Sequence, residues 1–152
     1  MKLLRLLRRR ERGAPSPQNV RQFLAAVAAT ASPAGLGAFG FRSPTGGTHG
    51  FVQFIVNSPI SVTIHRLWTL EPGRGNGTAV LRAVCALADE HGVELTLKCL
   101  PFGRKPYPKS RERLAEWYGR SGFVANGRKM VRPPRPATAL DVQGGERGQV
   151  VT

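Results

Sequence analysis

Acidic side chains are scarce in this sequence: 152 residues carry 9 Asp and Glu against 23 Lys and Arg, a net charge of +14. Cysteine is scarcer still. Two thiols, Cys85 and Cys99, cannot make a disulfide framework, so stability has to come from a hydrophobic core. Cys85 falls in an apolar helical pattern and Cys99 at the end of a strand-like run, and both read as reduced core residues. Three histidines, His49, His65 and His91, are too few and too scattered for a metal-ligand pattern, and no metal is expected. The longest apolar run, Phe23 to Ala29, is far too short to span a bilayer, which speaks against a membrane role. Met1 to Arg12 is basic and lacks the apolar core and small-residue cleavage site of a secretory signal. The setting expected by default is reducing and cytoplasmic.

What is present fits one domain with an ordinary 41% of apolar residues. The positive charge favours an anionic partner: nucleic acid, a phosphorylated ligand or an acidic surface. Arg outnumbers Lys by 18 to 5, alongside 18 Gly and 12 Pro. That bias equally follows from GC-rich coding, and the sequence leaves both readings open.

Residues 1–14 hold six basic side chains and one acid, Glu11, and read as a basic N-terminal arm. The domain is expected over 15–132. Ser16-Pro17 supplies an N-cap and first helical residue for a helix from Pro17 to Thr30, with Val20, Phe23, Leu24 and Val27 on one face. Ser32 to Gly35 ends it. Ala38–Arg42, Gly50–Asn57 and Ile60–Leu70 read as strands, with a loop at Pro44 to Gly47. In the last of these the apolar positions Val62, Ile64, Leu67 and Thr69 change phase, which predicts a β-bulge near His65-Arg66. An apolar helix follows and stops at His91-Gly92. Val93–Cys99 is a further strand, and Leu100–Ser110 a long loop. Ser110 caps a helix over Arg111–Ser121. Phe123–Arg132 is a hairpin turning on Asn126-Gly127 as a type I′ turn. From residue 133 to 152 the chain is Pro- and Gly-rich and reads as a disordered tail. No internal repeat is visible. The fold class is α/β, in the α+β sense of a mixed sheet with helices.

One stretch stands out: Arg74-Gly75-Asn76-Gly77-Thr78-Ala79, between a strand and a helix. Glycines there let backbone approach a ligand closely. The first helical turn offers unpaired N–H groups and the positive end of the helix dipole, together a cradle for pyrophosphate. Arg74 can add a charge-assisted bond.

A second segment is Leu114-Ala115-Glu116-Trp117-Tyr118-Gly119-Arg120-Ser121-Gly122-Phe123. Read with the glycine loop, and with a helix and a strand between them, it resembles the GNAT superfamily of acyl-CoA-dependent N-acyltransferases. The loop resembles the family's Gln/Arg-x-x-Gly-x-Gly/Ala motif, and the second segment its aromatic-Tyr-x-x-x-Gly-Phe run. The resemblance covers residues 50–132 well and 17–49 loosely. It implies a GNAT-like fold whose central sheet splays at a bulged strand, with acetyl-CoA or another acyl-CoA as co-substrate. Backbone of Leu67, Trp68 and Thr69 would then hold the pantetheine, and Gly75 to Ala79 with Arg74 the pyrophosphate. An acceptor amine would attack the thioester directly, with Tyr118 as general acid to the leaving thiolate. His65 stands where some family members carry a basic Glu; Glu71 and Glu94 are further candidates, beside a water relay. On the strand after the helix, Lys98 stands near the other position where family members often place a Glu, and a lysine there cannot serve as an ordinary base. Where the family commonly has Asn at the start of the last helix, this chain has Ser110-Arg111, and Arg111 is a candidate phosphate contact.

The acceptor is not legible. Leu100 to Ser110 mixes basic and aromatic side chains, and from Lys98 to Arg135 eleven basic residues face two acids. Phosphate contacts beside stacking rings suit nucleic acid. A small amine or a protein amino group are the other acceptor classes, and the chain is expected to be a monomer or homodimer. The alternative reading is a catalytically inactive GNAT-like module that binds nucleic acid or a host protein, of phage origin.

Overall fold

The structure, a computed structural model, describes residues 18–42, 47–70, 75–100 and 110–136. In chain order the elements are α1 (Asn19–Thr30), β1 (Ser32–Pro33), β2 (Ala38–Arg42), β3 (Thr48–Ser58), β4 (Ser61–Trp68), α2 (Asn76–His91), β5 (Glu94–Lys98), α3 (Arg111–Gly119), β6 (Val124–Asn126) and β7 (Lys129–Arg132). Seven strands form one sheet in the order β1-β2-β3-β4-β5-β7-β6. Every pairing is antiparallel except β4 with β5, whose parallel alignment needs the crossover that α2 supplies. The fold is therefore mixed α/β. The arm over 1–14, Ser16-Pro17, Pro44 to Gly46, Glu71, Arg74, the basic loop 101–109 and the tail over 137–152 lie outside the described residues.

One face of the sheet carries the core. Phe23 and Val27 of α1, Val80, Leu81 and Val84 of α2, and Val52, Val62, Ile64, Leu95 and Leu97 of the strands interlock there. Each such side chain, when fully buried, contributes about 1.5–3 kcal/mol over its exposed state. Phe23 meets Phe54 edge-on, with ring centroids 5.4 Å apart, which seats α1 on β3. Cys85 and Cys99 are both free and buried in this layer.

The sheet is irregular at three positions, each with one extra residue. Registers skip His49 and Asn57 on β3 and His65 on β4. The last is the bulge that the phase change between Ile64 and Leu67 predicts. All three extra residues are polar.

Several boundaries differ from the sequence reading. The first helix begins at Asn19 with Gln18 at its N-cap, two residues later than Pro17, because Val20 N–H bonds back to the Pro59 carbonyl (3.0 Å) and fixes the chain's entry. Ser32-Pro33 is not merely a helix stop; it pairs with Gly40 and Phe39 as an edge strand. The hairpin turn is displaced by one residue. Asn126 pairs with Lys129, so Gly127-Arg128 are the central residues. Gly127 has φ +62° while Arg128 stays on the ordinary side, which excludes a type I′ turn needing both positive. Residues 133–136, read as the start of a disordered tail, are anchored instead: the Arg135 amide donates to Asp89 Oδ1 at 2.8 Å.

Candidate active site

β4 and β5 pair over four residues only, Ser61–Ile64 against Glu94–Leu97. Beyond Ile64 the next residue of β4 is the bulged His65, and β4 continues to Trp68 paired with β3 alone. On the other side β5 continues to Lys98 paired with β7. The two strands therefore diverge at the bulge, and the inner edge of β4 from His65 to Trp68 has no ladder partner among the described residues. This is the splayed sheet that the resemblance implies.

A polar clasp fixes where the divergence starts. Thr63 Oγ1 donates to Asn57 Oδ1 (2.9 Å), so Thr96 Oγ1 donates to Thr63 across the strands at 2.8 Å. Asn57 Nδ2 in turn donates to Thr96 Oγ1, and Ser61 Oγ donates to Glu94 Oε1 (3.3 Å). Glu94 thus sits at the closed end, four residues and about 13 Å of strand from Lys98. That distance removes it from the candidates for a base at the gap.

The glycine loop meets the open end. Gly75 is the N-cap of α2 with φ +76°, a left-handed conformation suited to glycine, and nothing lies within 4 Å of where its Cβ would be. By helix geometry the amides of Gly75, Asn76, Gly77 and Thr78 have no intrahelical acceptor. Ala79 is different: its amide already donates to the Gly75 carbonyl at 3.1 Å. The amide cradle is accordingly Gly75 to Thr78, one residue shorter than the sequence suggested. Two side chains not identified from sequence brace it. His49 Nδ1 lies 3.0 Å from Asn76 Oδ1, and Trp117 Nε1 donates to Thr78 Oγ1 at 3.1 Å. The bulge at His49 is what turns that ring toward α2. Thr78, accepting from the indole, keeps its own hydroxyl proton to donate.

Gly50 was also missed. A Cβ there would stand 2.7 Å from the Trp68 carbonyl oxygen and 3.0 Å from Thr69 Cγ2. The end of β4 can approach β3 and α2 this closely only over a glycine. A glycine inside a strand is itself the signal that could have revealed it.

Tyr118 stands beside the divergence on the helix-bearing face. It is 8% exposed, tilted against Trp117 at 4.7 Å and set edge-on to Phe123 at 5.6 Å. Burial, with a smaller contribution from the neighbouring Cys99 thiol, pushes its pKa up to about 12. No buried side-chain oxygen among the described residues lacks a partner, and the Tyr118 hydroxyl makes no hydrogen bond there, so it reaches solvent. His65 is exposed, and it falls on the opposite face. Ile64 and Leu67 both face the core, so the two residues between them, His65 and Arg66, turn to the side opposite the described helices. The structure thus sets Tyr118 and His65 on opposite faces of the sheet.

Leu67, Trp68 and Thr69 are half-buried along the open edge of β4. Arg111 lies elsewhere. It opens α3, receives the Cys99 thiol proton at its carbonyl (3.6 Å) and lines a cleft of about 110 Å³ with Cys99, Ala115 and the β6–β7 hairpin. Trp117, near the other end of α3, is the residue that touches the glycine loop, six residues or about 9 Å along the helix. No cluster of three or more metal-ligating side chains occurs among the described residues, and none of their helices is long and apolar enough to cross a membrane.

No family model matches the chain, and no curated protein matches its sequence. Among solved structures it is similar to the anti-CRISPR protein AcrVA5, at 24% identity, covering 63% of this chain and 98% of that one with a TM-score of 0.46. It is similar to Ard1 from Thermoplasma volcanium, at 16% identity, covering 79% and 94% with a TM-score of 0.48. It is also similar to a protein from Klebsiella pneumoniae assigned as an acyl-CoA N-acyltransferase, at 17% identity, covering 80% and 94% with a TM-score of 0.44. At these identities the likeness is one of fold.

Proposed function

We propose that this chain is an acyl-CoA-dependent N-acyltransferase of the GNAT type, transferring an acetyl or other acyl group to an amine. One observation carries the reading: β4 and β5 part at the His65 bulge, with an amide cradle at one end of the opening and Tyr118 beside it. The residues fit the co-substrate. Amides of Gly75 to Thr78 and the Thr78 hydroxyl suit a pyrophosphate, with Arg74 adjoining in sequence. The unpaired edge of Leu67 to Thr69 offers strand-like hydrogen bonds to the two amides of a pantetheine arm.

The roles of the side chains follow from the two faces. An amine entering from the side opposite the described helices attacks the thioester carbon; the new C–N bond forms and the C–S bond breaks toward Tyr118. The amine proton passes to His65, directly or through water. Tyr118, like any tyrosine, is protonated at neutral pH, and burial pushes its pKa further up to about 12. Full transfer to a thiolate of ordinary pKa would be uphill by about 5 kcal/mol, so the hydroxyl serves chiefly by donating a hydrogen bond to the departing sulfur.

The test is the thermal midpoint with acetyl-CoA. A ligand present at 100 times its Kd adds about 2.7 kcal/mol. No shift at millimolar acetyl-CoA overturns the reading. The competing reading, a binding module without chemistry, draws on the lack of a carboxylate at the gap among the described residues. Stabilisation by acetyl-CoA without transfer of a labelled acetyl group to amine, protein or nucleic-acid acceptors would favour it.

A further inference from the structure

The helices described all lie on one face of the sheet, and the other face has its own composition. By register it presents Phe51, Gln53 and Ile55 of β3, His65, Arg66 and Trp68 of β4, Lys98 of β5, and Lys129 of β7. Phe51 and Trp68 are direct cross-strand partners, and their rings stack at 5.2 Å with 20° between planes. Gly40 on β2 makes room for the pair, since a Cβ there would meet the Phe51 ring at 3.2 Å. Both rings are half-buried. Ile55 (48%) and Val124 (66%) are exposed on the same face, in the cross-strand row that runs through Thr63, Thr96 and Val131. Charge on this face is one-sided. The described strands carry a single carboxylate, Glu94, and it is engaged by Ser61 at the closed end.

We propose that this face binds single-stranded nucleic acid, with the Phe51–Trp68 pair as the base-stacking platform and Arg66, Lys98 and Lys129 as phosphate contacts. A sheet that offers aromatic rings to bases and cations to the backbone is a sequence-tolerant solution for single strands, because every base has a π-face. A protein partner would equally use exposed Ile55 and Val124. The charge of +14 and the cations on the same face as the rings favour a polyanion that also carries flat groups. The proposal needs no acyl-CoA, so it stands or falls apart from the acyltransferase reading.

The experiment is fluorescence anisotropy of the full chain with labelled 12-mer single strands of mixed sequence, and with the matching duplex. Trp68→Leu and Phe51→Leu keep apolar volume but remove a π-face, and each weakens the single strand by about 5- to 150-fold, the equivalent of one stacked base. Arg66→Gln and Lys98→Gln each flatten the dependence of affinity on salt. Leucine variants that bind like the parent overturn the proposal. So does equal affinity for the duplex, whose bases are not free to stack, or displacement by polyglutamate at equal charge. Should the leucine variants misfold, photocrosslinking of a 5-bromouracil strand to the unaltered chain decides: adducts in the peptides holding Phe51 and Trp68 uphold the platform, and adducts confined to other peptides refute it.

Discussion

Arg132 and Asp89 form a bidentate pair, Nη1 to Oδ1 at 2.7 Å and Nη2 to Oδ2 at 2.9 Å, between the last described strand and α2. Arg132 is 3% exposed, and its Nε also donates to the Ser121 carbonyl at 2.7 Å, just after α3. One guanidinium therefore ties together α2, β7 and the turn that follows Tyr118. Removing a single partner of such a buried pair leaves an uncompensated charge, costing about 3–5 kcal/mol. Asp89→Ala should lower the urea midpoint accordingly with little change in slope; a midpoint within experimental error of the parent would contradict this account.

Tyr118→Phe keeps the ring's contacts with Trp117 and Phe123 and removes only the hydroxyl. If the hydroxyl serves the departing sulfur, turnover falls by roughly tenfold or more while acetyl-CoA binding stays near normal. Steady-state kinetics beside a direct binding measurement separates the two. Equal turnover in the variant removes Tyr118 from the chemistry.

His65→Gln tests the opposite face. Because His65 is exposed at a bulge, the substitution leaves the core intact, and its effect belongs in the pH profile. The acid-side limb of kcat/KM should disappear or move. A profile of unchanged shape assigns the proton to water or to an amine that arrives neutral.

Gly50→Ala probes the close approach that closes β3 on the end of β4. The added methyl meets a backbone oxygen at 2.7 Å, which cannot yield as a flexible side chain would. A loss of about 1–3 kcal/mol is expected, the range for overpacking, along with weaker acetyl-CoA binding because Thr69 and Val80 border the cradle. Full stability in this variant would show that the strand end is free to shift.

Alkaline pH should expose the burial of Tyr118. An unfolded tyrosine ionises near pH 10, whereas the folded one holds its proton to about 12. Between those values the unfolded state binds fewer protons, so stability falls as pH rises, by up to roughly 2.7 kcal/mol in all. Below pH 10 this group adds no pH dependence. Chemical denaturation at pH 9 and 11 for the parent and Tyr118→Phe isolates its share; identical slopes in the two proteins would refute it.

Local pattern was enough to read much of this. The alternation of Val62 and Ile64 slipping to Leu67 encodes the bulge at His65, because a strand with one buried face cannot change phase without an extra residue. The glycines at 75 and 92 bound α2 because only they take its left-handed caps without strain. Ser110 caps α3, accepting from the Arg113 amide at 3.3 Å, as its side chain predicts. The hairpin was read one residue early, since Asn126-Gly127 is a good turn dipeptide and only the pairing with β7 decides the register.

The sequence by itself determined every described element except the edge strand Ser32–Pro33, together with the glycine loop and the presence of a bulged strand before it. Tertiary structure alone decided where the sheet opens, because Thr63 and Thr96 meet across 33 residues of chain. It alone set Tyr118 and His65 on opposite faces, and recruited His49 and Trp117 to brace Asn76 and Thr78. It also gathered Phe51, Trp68 and the strand cations on the face opposite the described helices. These relationships join residues far apart in sequence, so no local periodicity records them, and they exist only once the core has fixed the strands in register.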